Sequence, residues 1–252
     1  MQVYGRFAKV YDLFMEEIDY GSWLRHIRAV WQKYDAHPQC VIDLACGTGT
    51  VAISLAQEGI EAIGIDISVD MLAEARRKAE AQGIGISLFC QDMTDFSVSE
   101  EVDCVLCLCD SLNYLVEDGE LAKAFSCVKQ HLTPNGLFIF DMNTEYKFKE
   151  VLGEQTYAAV LDDAAYFWEN NYDEEERVNE YYVCFFLKEK EAYERVEEFH
   201  YERAYSIEEV EACLDASGLK LLEVYNGYQF SESERQAERL VFVAGMKGDI
   251  EK

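Results

Sequence analysis

Three carboxylates stand within or just after apolar runs. Asp43 lies within Val41-Ile42-Asp43-Leu44-Ala45, Asp66 closes Ala62-Ile63-Gly64-Ile65-Asp66, and Asp92 sits in Gln91-Asp92-Met93. Between the first two lies Cys46-Gly47-Thr48-Gly49-Thr50, followed by Val51, Ala52, Ile53, Leu55 and Ala56 at helical spacing. Strand, tight turn, helix is the arrangement that turns backbone N–H groups toward a ligand at a helix N-terminus. Gly47 and Gly49 lack a Cβ, so they can take unusual φ/ψ values and let a small polar ligand lie against the main chain. An acid at the end of a second strand can accept from both hydroxyls of a ribose. Asp43 could reach the turn or a ligand ammonium, and Asp92 could accept from an amino group.

A second set of polar residues follows the fourth and fifth apolar runs: Asp110, Asn113, Tyr114, Asp141 and Asn143. Asp110 or Tyr114 could orient or deprotonate a second reactant, or simply cap the next helix. His200, in Glu198-Phe199-His200-Tyr201-Glu202, is the histidine placed near this site. Its alternation with Phe199 and Tyr201 puts it on a polar, solvated strand face. His26, His37 and His131 read as surface residues of helices or helix ends. No catalytic triad is visible. Cys104, Cys107 and Cys109 do not make a metal site, because a strand points Cys104 away from the other two and no partner pair stands at ligand spacing. They read as small buried thiols. Asp173-Glu174-Glu175-Glu176 reads as a solvated hairpin tip, with no calcium-loop glycine or ligand spacing.

The elements that must position these residues alternate steadily. Met1 to Tyr34 is aromatic and helical in pattern, with Trp23, Ile27, Val30, Trp31 and Tyr34 on one stripe. Val41–Ala45, Ala62–Asp66, Ile86–Cys90, Val102–Cys109 and Leu137–Phe140 read as five strands separated by helices. Ser68 can cap the helix Val69–Ala81, and Asp118 opens a helix carrying Leu121, Phe125, Val128 and Leu132. Such alternation predicts a parallel sheet covered on both faces. From Glu145 the pattern changes. Ala164–Tyr172, Val178–Leu187 and Tyr193–Tyr205 are long, aromatic and partly alternating, which predicts three antiparallel strands. Ser206-Ile207-Glu208-Glu209 is a capping box. After its helix, Leu219–Tyr225 and Leu240–Met246 read as strands six and seven, an antiparallel pair.

The bulk numbers narrow the partners. The 252 residues are 50% hydrophobic, enough for one large core with a smaller appended layer. A net charge of −27 argues against nucleic acid, which needs a basic footprint, and against docking on anionic membranes. No apolar run approaches the roughly 18 residues of a membrane span, and the first ten residues, with Arg6 and Lys9, do not read as a signal peptide. Nine cysteines without a framework read as free thiols in a reducing cytoplasm.

Gly47 to Ala52 fits the G-x-G-x-x-G/A pattern of dinucleotide folds, and Asp66 alone does not separate a dinucleotide from an adenosyl group. Asp43 inside the first strand, Asp92 after the third and the closing hairpin favour the adenosyl group. The segments Val41-Ile-Asp-Leu-Ala-Cys-Gly-Thr-Gly49, Gly64-Ile-Asp-Ile-Ser68 and Gln91-Asp-Met93, in order and at this spacing, resemble class I S-adenosylmethionine-dependent methyltransferases. The likeness spans roughly Tyr4 to Asp141 and the last helix and strands. Phe7-Ala-Lys-Val-Tyr-Asp12 and the strand insertion resemble the branch acting on small molecules. The resemblance implies a Rossmann-like doubly wound α/β fold: a seven-stranded sheet with strand seven antiparallel, plus the inserted three-stranded antiparallel layer. It implies S-adenosylmethionine as cofactor and no metal. Asp43, Ala45, Gly47 and Gly49 would serve its methionine part, with the Cys109 carbonyl. Asp66 would hold the ribose, Ile67 and Met71 would flank the adenine, and Asp92 and Met93 would complete that end. Tyr11, with Tyr4, would close over it. Asp110, Tyr114 and His200 are the catalytic candidates. Cys46 departs from the small residues usual in the turn and leaves a thiol at the site.

This reading divides the chain into a helical lid (1–38), a cofactor-binding core (39–145 and 204–252) and an insertion covering the acceptor (146–203). It predicts a cytoplasmic enzyme, monomer or homodimer, methylating a small-molecule acceptor by in-line displacement. A regulatory or partner-binding protein that holds the cofactor without turnover is the alternative, and a nicotinamide-linked oxidoreductase a third reading.

Overall fold

A computed structural model describes residues 8, 11–16, 18–161, 164–231 and 236–248. Tyr4, Phe7 and Val10 lie outside the described residues. The first helix, α1 (Tyr11–Phe14), is a single turn, and α2 (Tyr20–Lys33) carries Leu24, Ile27, Val30 and Trp31 into the core. Then come β1 (Cys40–Leu44), α3 (Thr50–Gln57), β2 (Glu61–Asp66), α4 (Val69–Gln82), β3 (Ser87–Cys90) and β4 (Val102–Cys107). A 3-10 turn at Ser111–Tyr114 precedes α5 (Glu120–His131) and β5 (Leu132–Asn143). After a short π-helical turn at Lys147–Leu152 come β6 (Thr156–Val160), β7 (Ala164–Asp173), β8 (Val178–Glu189) and β9 (Ala192–Arg203). The chain finishes with α6 (Ile207–Ser217), β10 (Leu219–Asn226) and β11 (Arg239–Met246).

The main sheet has seven strands in the order β10-β11-β5-β4-β1-β2-β3. β1 pairs in parallel with both β2 and β4, and β11 runs antiparallel to β5 and β10. The strand order therefore reverses at β1, and a crevice opens beyond the C-terminal ends of β1 and β4. Side-chain alternation sorts β5 between two cores. Phe138 and Phe140 pack with Phe125 and Val128 of α5 and Leu214 of α6, while Leu137 and Ile139 pack with Ile27 and Val30 of α2 and Leu55 of α3.

Local signals are met where backbone chemistry is explicit. Ser68 Oγ accepts from Met71 N at 3.3 Å, and Gly83 ends α4 with φ 68°. Ser206 and Glu209 cap each other reciprocally at α6.

Several expectations are corrected. The insertion is a four-stranded antiparallel sheet, β6-β7-β8-β9. The extra strand, Thr156–Val160, is short and outermost, so its weak alternation hid it. Helix α5 begins at Glu120 behind Gly119 (φ 85°), and β5 begins at Leu132 because that residue already pairs with Val102. His26 and His131 are buried rather than on the surface. His26 sits among Tyr225, Tyr228 and Phe230, and His131 stacks on Phe96 and accepts from Val98 N. Aromatic neighbours cover each imidazole, which helical spacing alone did not reveal.

Candidate active site

The β1–α3 turn is bent by three left-handed residues, Ala45 (φ 59°), Gly47 (φ 53°) and Gly49 (φ 75°). A Cβ on Gly47 would meet nothing within 4 Å, because that face of the backbone borders the cavity. A Cβ on Gly49 would lie 2.9 Å from Ala75 Cβ. Gly49 thus lets α3 approach α4, and among the described residues it does not line the cavity. Cys46 fits because Gly64 opposite it has no side chain: a Cβ there would fall 2.8 Å from Cys46 Sγ. Burial, with Asp43 and Asp66 nearby, pushes the Cys46 thiol well above its ordinary range. The thiolate that reacts with alkylating reagents is therefore disfavoured, although Cys46 lines the cavity beside the turn.

Carboxylates organise the turn. Asp66 Oδ2 accepts from Gly47 N at 2.8 Å and Oδ1 from Ser68 N at 2.8 Å. Burial raises Asp66, and these N–H groups oppose the rise. Asp43 is buried and accepts from Ala52 N at 3.0 Å. Burial, with Asp66 adding to it, lifts Asp43 to about 7 against that hydrogen bond. Asp92 stands exposed after β3, where Oδ1 accepts from Thr94 N and Oγ1, each at 2.7 Å.

A cavity of about 610 Å³ runs from this turn to the four-stranded sheet. It brings together Tyr11, Asp43, Ala45, Gly47, Asp66, Ile67, Met71, Asp92, Met93 and Cys109 with Asp110, Tyr114 and His200. At the end of β4, Cys109 (φ 63°) and Asp110 (φ 54°) are consecutive left-handed residues that are not glycine. Strain of this kind persists where the surroundings over-determine it. Here Asp110 N donates to Asp141 Oδ1 at 2.9 Å, and Asp110 Oδ1 faces Arg239 Nη2 at 2.7 Å. Asp110 Oδ2 accepts from Asn143 Nδ2 at 2.8 Å, while Arg239 Nη1 and Tyr228 OH both donate to Asp141 Oδ2. Burial would raise Asp110, but Arg239 and Lys147 outweigh it and hold the carboxyl below its ordinary range.

His200 contradicts its expected solvated face. On β9 the acids and the imidazole, Glu198, His200 and Glu202, point inward, while Phe199 and Tyr201 are exposed. His200 Nδ1 lies 3.3 Å from Tyr114 OH, and Nε2 lies 3.2 Å from Glu198 Oε2. Asn113 and Asp141 are buried outside the cavity. Asn113 staples β5 to β9 by donating from Nδ2 to the Asn143 and Arg203 carbonyls. Sequence reasoning missed Tyr20, Trp23, Lys147, Tyr181, Glu202 and Arg239, which also line the cavity. The polar face of β9 was the available signal for Glu202. Arg239 carried none, since its place depends on β11 pairing with β5.

A family described as methyltransferase domain matches residues 41–136, from β1 into β5. The protein named as methyltransferase YqeM of Bacillus subtilis is 34% identical over 243 residues, 96% of each chain. A solved S-adenosylmethionine-dependent methyltransferase from Clostridium acetobutylicum is 33% identical, with TM-score 0.88, covering 96% of this chain and 98% of its own. The chain belongs to the class I S-adenosylmethionine-dependent methyltransferases. A more partial match, 29% identical over 53% of this chain and 56% of the other, is the dTDP-3-amino-3,4,6-trideoxy-α-D-glucopyranose N,N-dimethyltransferase of Streptomyces venezuelae.

The residues of this methyltransferase suit its cofactor, S-adenosylmethionine. The bare face of Gly47 leaves room for a ligand at the backbone. Asp66 has spent one lone pair per oxygen, and a carboxylate has about four acceptor sites, so acceptor capacity remains for a diol. The donor set is oxygen-rich and offers no cluster of three metal-ligating side chains among the described residues. Nor, among them, is any helix long and apolar enough to cross a membrane.

Proposed function

We propose that this methyltransferase acts on a small-molecule acceptor seated between the ends of β4 and β5 and the four-stranded sheet. One observation carries the reading: a single cavity joins the glycine turn to Tyr114, His200 and the inner face of that sheet. Asp66 would hold the ribose, Asp92 the adenine amino group, and Ile67, Met71 and Met93 the ring. Asp43, Ala45, Gly47 and the Cys109 carbonyl would serve the methionine end. S-adenosylmethionine, when bound, supplies a methyl carbon made electrophilic by its sulfonium.

The chain's own residues orient the acceptor and exclude water, and such alignment can lower a barrier by on the order of 7 kcal/mol. Tyr11 and Phe14 of α1 close one side, Phe14 packing on Tyr166 and Phe185 at 5.0 Å between ring centres. Tyr114 and His200 would orient the acceptor and exchange its proton, with the Glu198 carboxyl 3.2 Å from the imidazole Nε2. Asp110, bound to Arg239 and Asn143, is a weak base and serves to position them.

We propose a matching division of labour. Residues 39–145 and 204–252 hold the cofactor, 146–203 cover the acceptor, and the lid role within 1–38 falls to α1, because α2 is built into the core. The relative acting on an amino sugar supports a polar acceptor of that size. The nine cysteines are all free, which supports a reducing cytoplasm.

The test is calorimetric titration with S-adenosylmethionine and its demethylated product, then labelled methyl transfer to a panel of amines, sugars and acids. Micromolar cofactor binding with transfer to one class is expected. Binding without transfer to any acceptor would favour the regulatory reading instead.

A further inference from the structure

The polar end of the cavity holds a carboxyl group that the reading above leaves unused. Glu202 on β9 lines the cavity yet is only 3% exposed. Its Oε2 accepts from Asn143 Nδ2 at 3.1 Å and from Tyr181 OH at 3.2 Å. Its Oε1 takes no hydrogen bond among the described residues. One oxygen is fixed by the protein, and the other is left for whatever enters.

The charges around it are otherwise balanced. Asp110 and Asp141 share Arg239, and the Lys147 ammonium is held on Asn143 Oδ1 at 2.9 Å. His200 faces the same cavity from β9 and Tyr181 from β8. The two carboxylates, one guanidinium and one ammonium beside it sum to zero, and Glu198 on the same face of β9 lies 3.2 Å from His200 Nε2, so an ionised Glu202 adds a further buried negative charge. Burial and the nearby Asp110 accordingly push Glu202 well above the usual carboxylate range. A buried carboxyl in such a place ionises when a cation comes to sit beside it.

We propose that Glu202 Oε1 is the seat for an ammonium group on the acceptor, which makes the acceptor a cationic amine. This rests on the small-molecule reading of the cavity and specifies its substrate class. As the ammonium arrives, Glu202 releases its proton to solvent and the two form a buried ion pair. Asn143 and Tyr181 hold the carboxylate for it, and a buried pair forms favourably only with such support. Glu202 can then take one proton back from the ammonium, which restores the neutral acid and bares the nitrogen lone pair. An acceptor with hydroxyls alone would meet only a neutral hydrogen bond.

The experiment is carbon NMR of the full chain carrying carboxyl-labelled glutamate, with methylammonium chloride as probe. One glutamate resonance, absent in Glu202→Gln, should report a neutral acid at pH 7 and move to the ionised position on adding methylammonium chloride. Equal sodium chloride should leave it in place. A Glu202 resonance already ionised without the probe, or unmoved by it, overturns the proposal. Glu202→Gln should bind S-adenosylmethionine as the unaltered chain does, while transfer to amines falls tenfold or more and transfer to any alcohol acceptor does not. Loss of cofactor binding in Glu202→Gln alone would put this residue in the cofactor half and also overturn the proposal. Failure of the unaltered chain to bind the cofactor would instead count against the functional reading.

Discussion

Thr48 donates its hydroxyl hydrogen to Asp12 Oδ1 at 2.6 Å, tying the one-turn helix α1 to the glycine turn. Lys78 of α4 completes the latch, with Nζ 2.7 Å from Asp12 Oδ2 and hydrogen-bonded to Thr48 and Thr50. Asp12 is about half exposed, and exposed ion pairs contribute roughly 0–1 kcal/mol. Asp12→Asn or Lys78→Met should therefore leave the melting temperature within about 4 °C. Cofactor affinity should fall about two- to fivefold, and the residual affinity should lose salt dependence. Calorimetry at low and high salt reads both effects, and an unchanged affinity would mean that α1 does not close over the cofactor.

Asp66 joins the turn to the proposed ribose site, since Gly47 N and Ser68 N both donate to it. Asp66→Ala removes both acceptors, and each donor left unsatisfied costs roughly 1–3 kcal/mol. Cofactor affinity should drop at least tenfold in a titration. If it stays level, the ribose lies elsewhere.

Cys46 and Gly64 are complementary in volume. Gly64→Ala should destabilise the fold by about 1–3 kcal/mol, because its Cβ would meet Cys46 Sγ at 2.8 Å and Leu88 Cδ2 at 2.7 Å. Cys46→Ala in the same chain should recover part of the loss in urea denaturation. Recovery of none would show that Leu88 alone sets the limit.

Asp43 should make both folding and binding pH-dependent. Its folded value, about 7, lies above the unfolded carboxylate value of roughly 3.9. The folded state therefore holds the proton more tightly, and Asp43's contribution to stability is present below about pH 4 and lost as pH rises through 7. A cationic ligand group beside Asp43 favours the ionised form, so cofactor affinity should strengthen between pH 6 and 8. Asp43→Asn should flatten that rise and weaken binding above pH 7. An identical pH profile in the variant would remove Asp43 from the ligand.

His26 gives the opposite sign. It is buried with no hydrogen-bond partner on either ring nitrogen among the described residues, and burial lowers its pKa against the pull of Glu223. Its folded value is depressed below the ordinary histidine value, so its contribution is present above about pH 6.5 and lost as pH falls below it. His26→Phe should unfold less readily than the unaltered chain at pH 5 and differ less at pH 8, as read by thermal melts.

Local chemistry in the sequence determined the glycine turn and the strand ends proposed to hold the cofactor. A strand followed by Gly47 and Gly49, an acid ending β2 and a polar turn after β3 are short-range patterns, and the backbone imposes their geometry wherever a parallel sheet forms. The helix caps at Ser68 and Ser206 and the antiparallel closing pair were legible for the same reason. The end of the cavity proposed to seat the acceptor was decided by packing. Hydrophobic alternation on β9 pointed Phe199 and Tyr201 inward, yet the structure buries Glu198, His200 and Glu202 and leaves those aromatics exposed. Alternation tells two strand faces apart but not which one is covered, and here the covered face closes a polar cavity. Arg239 meets Asp110 and Asp141 from far along the chain, because β11 pairs with β5 at Arg239–Asn143. Only the pairing of distant strands could place that charge, so the polar end of the cavity is a property of the tertiary fold.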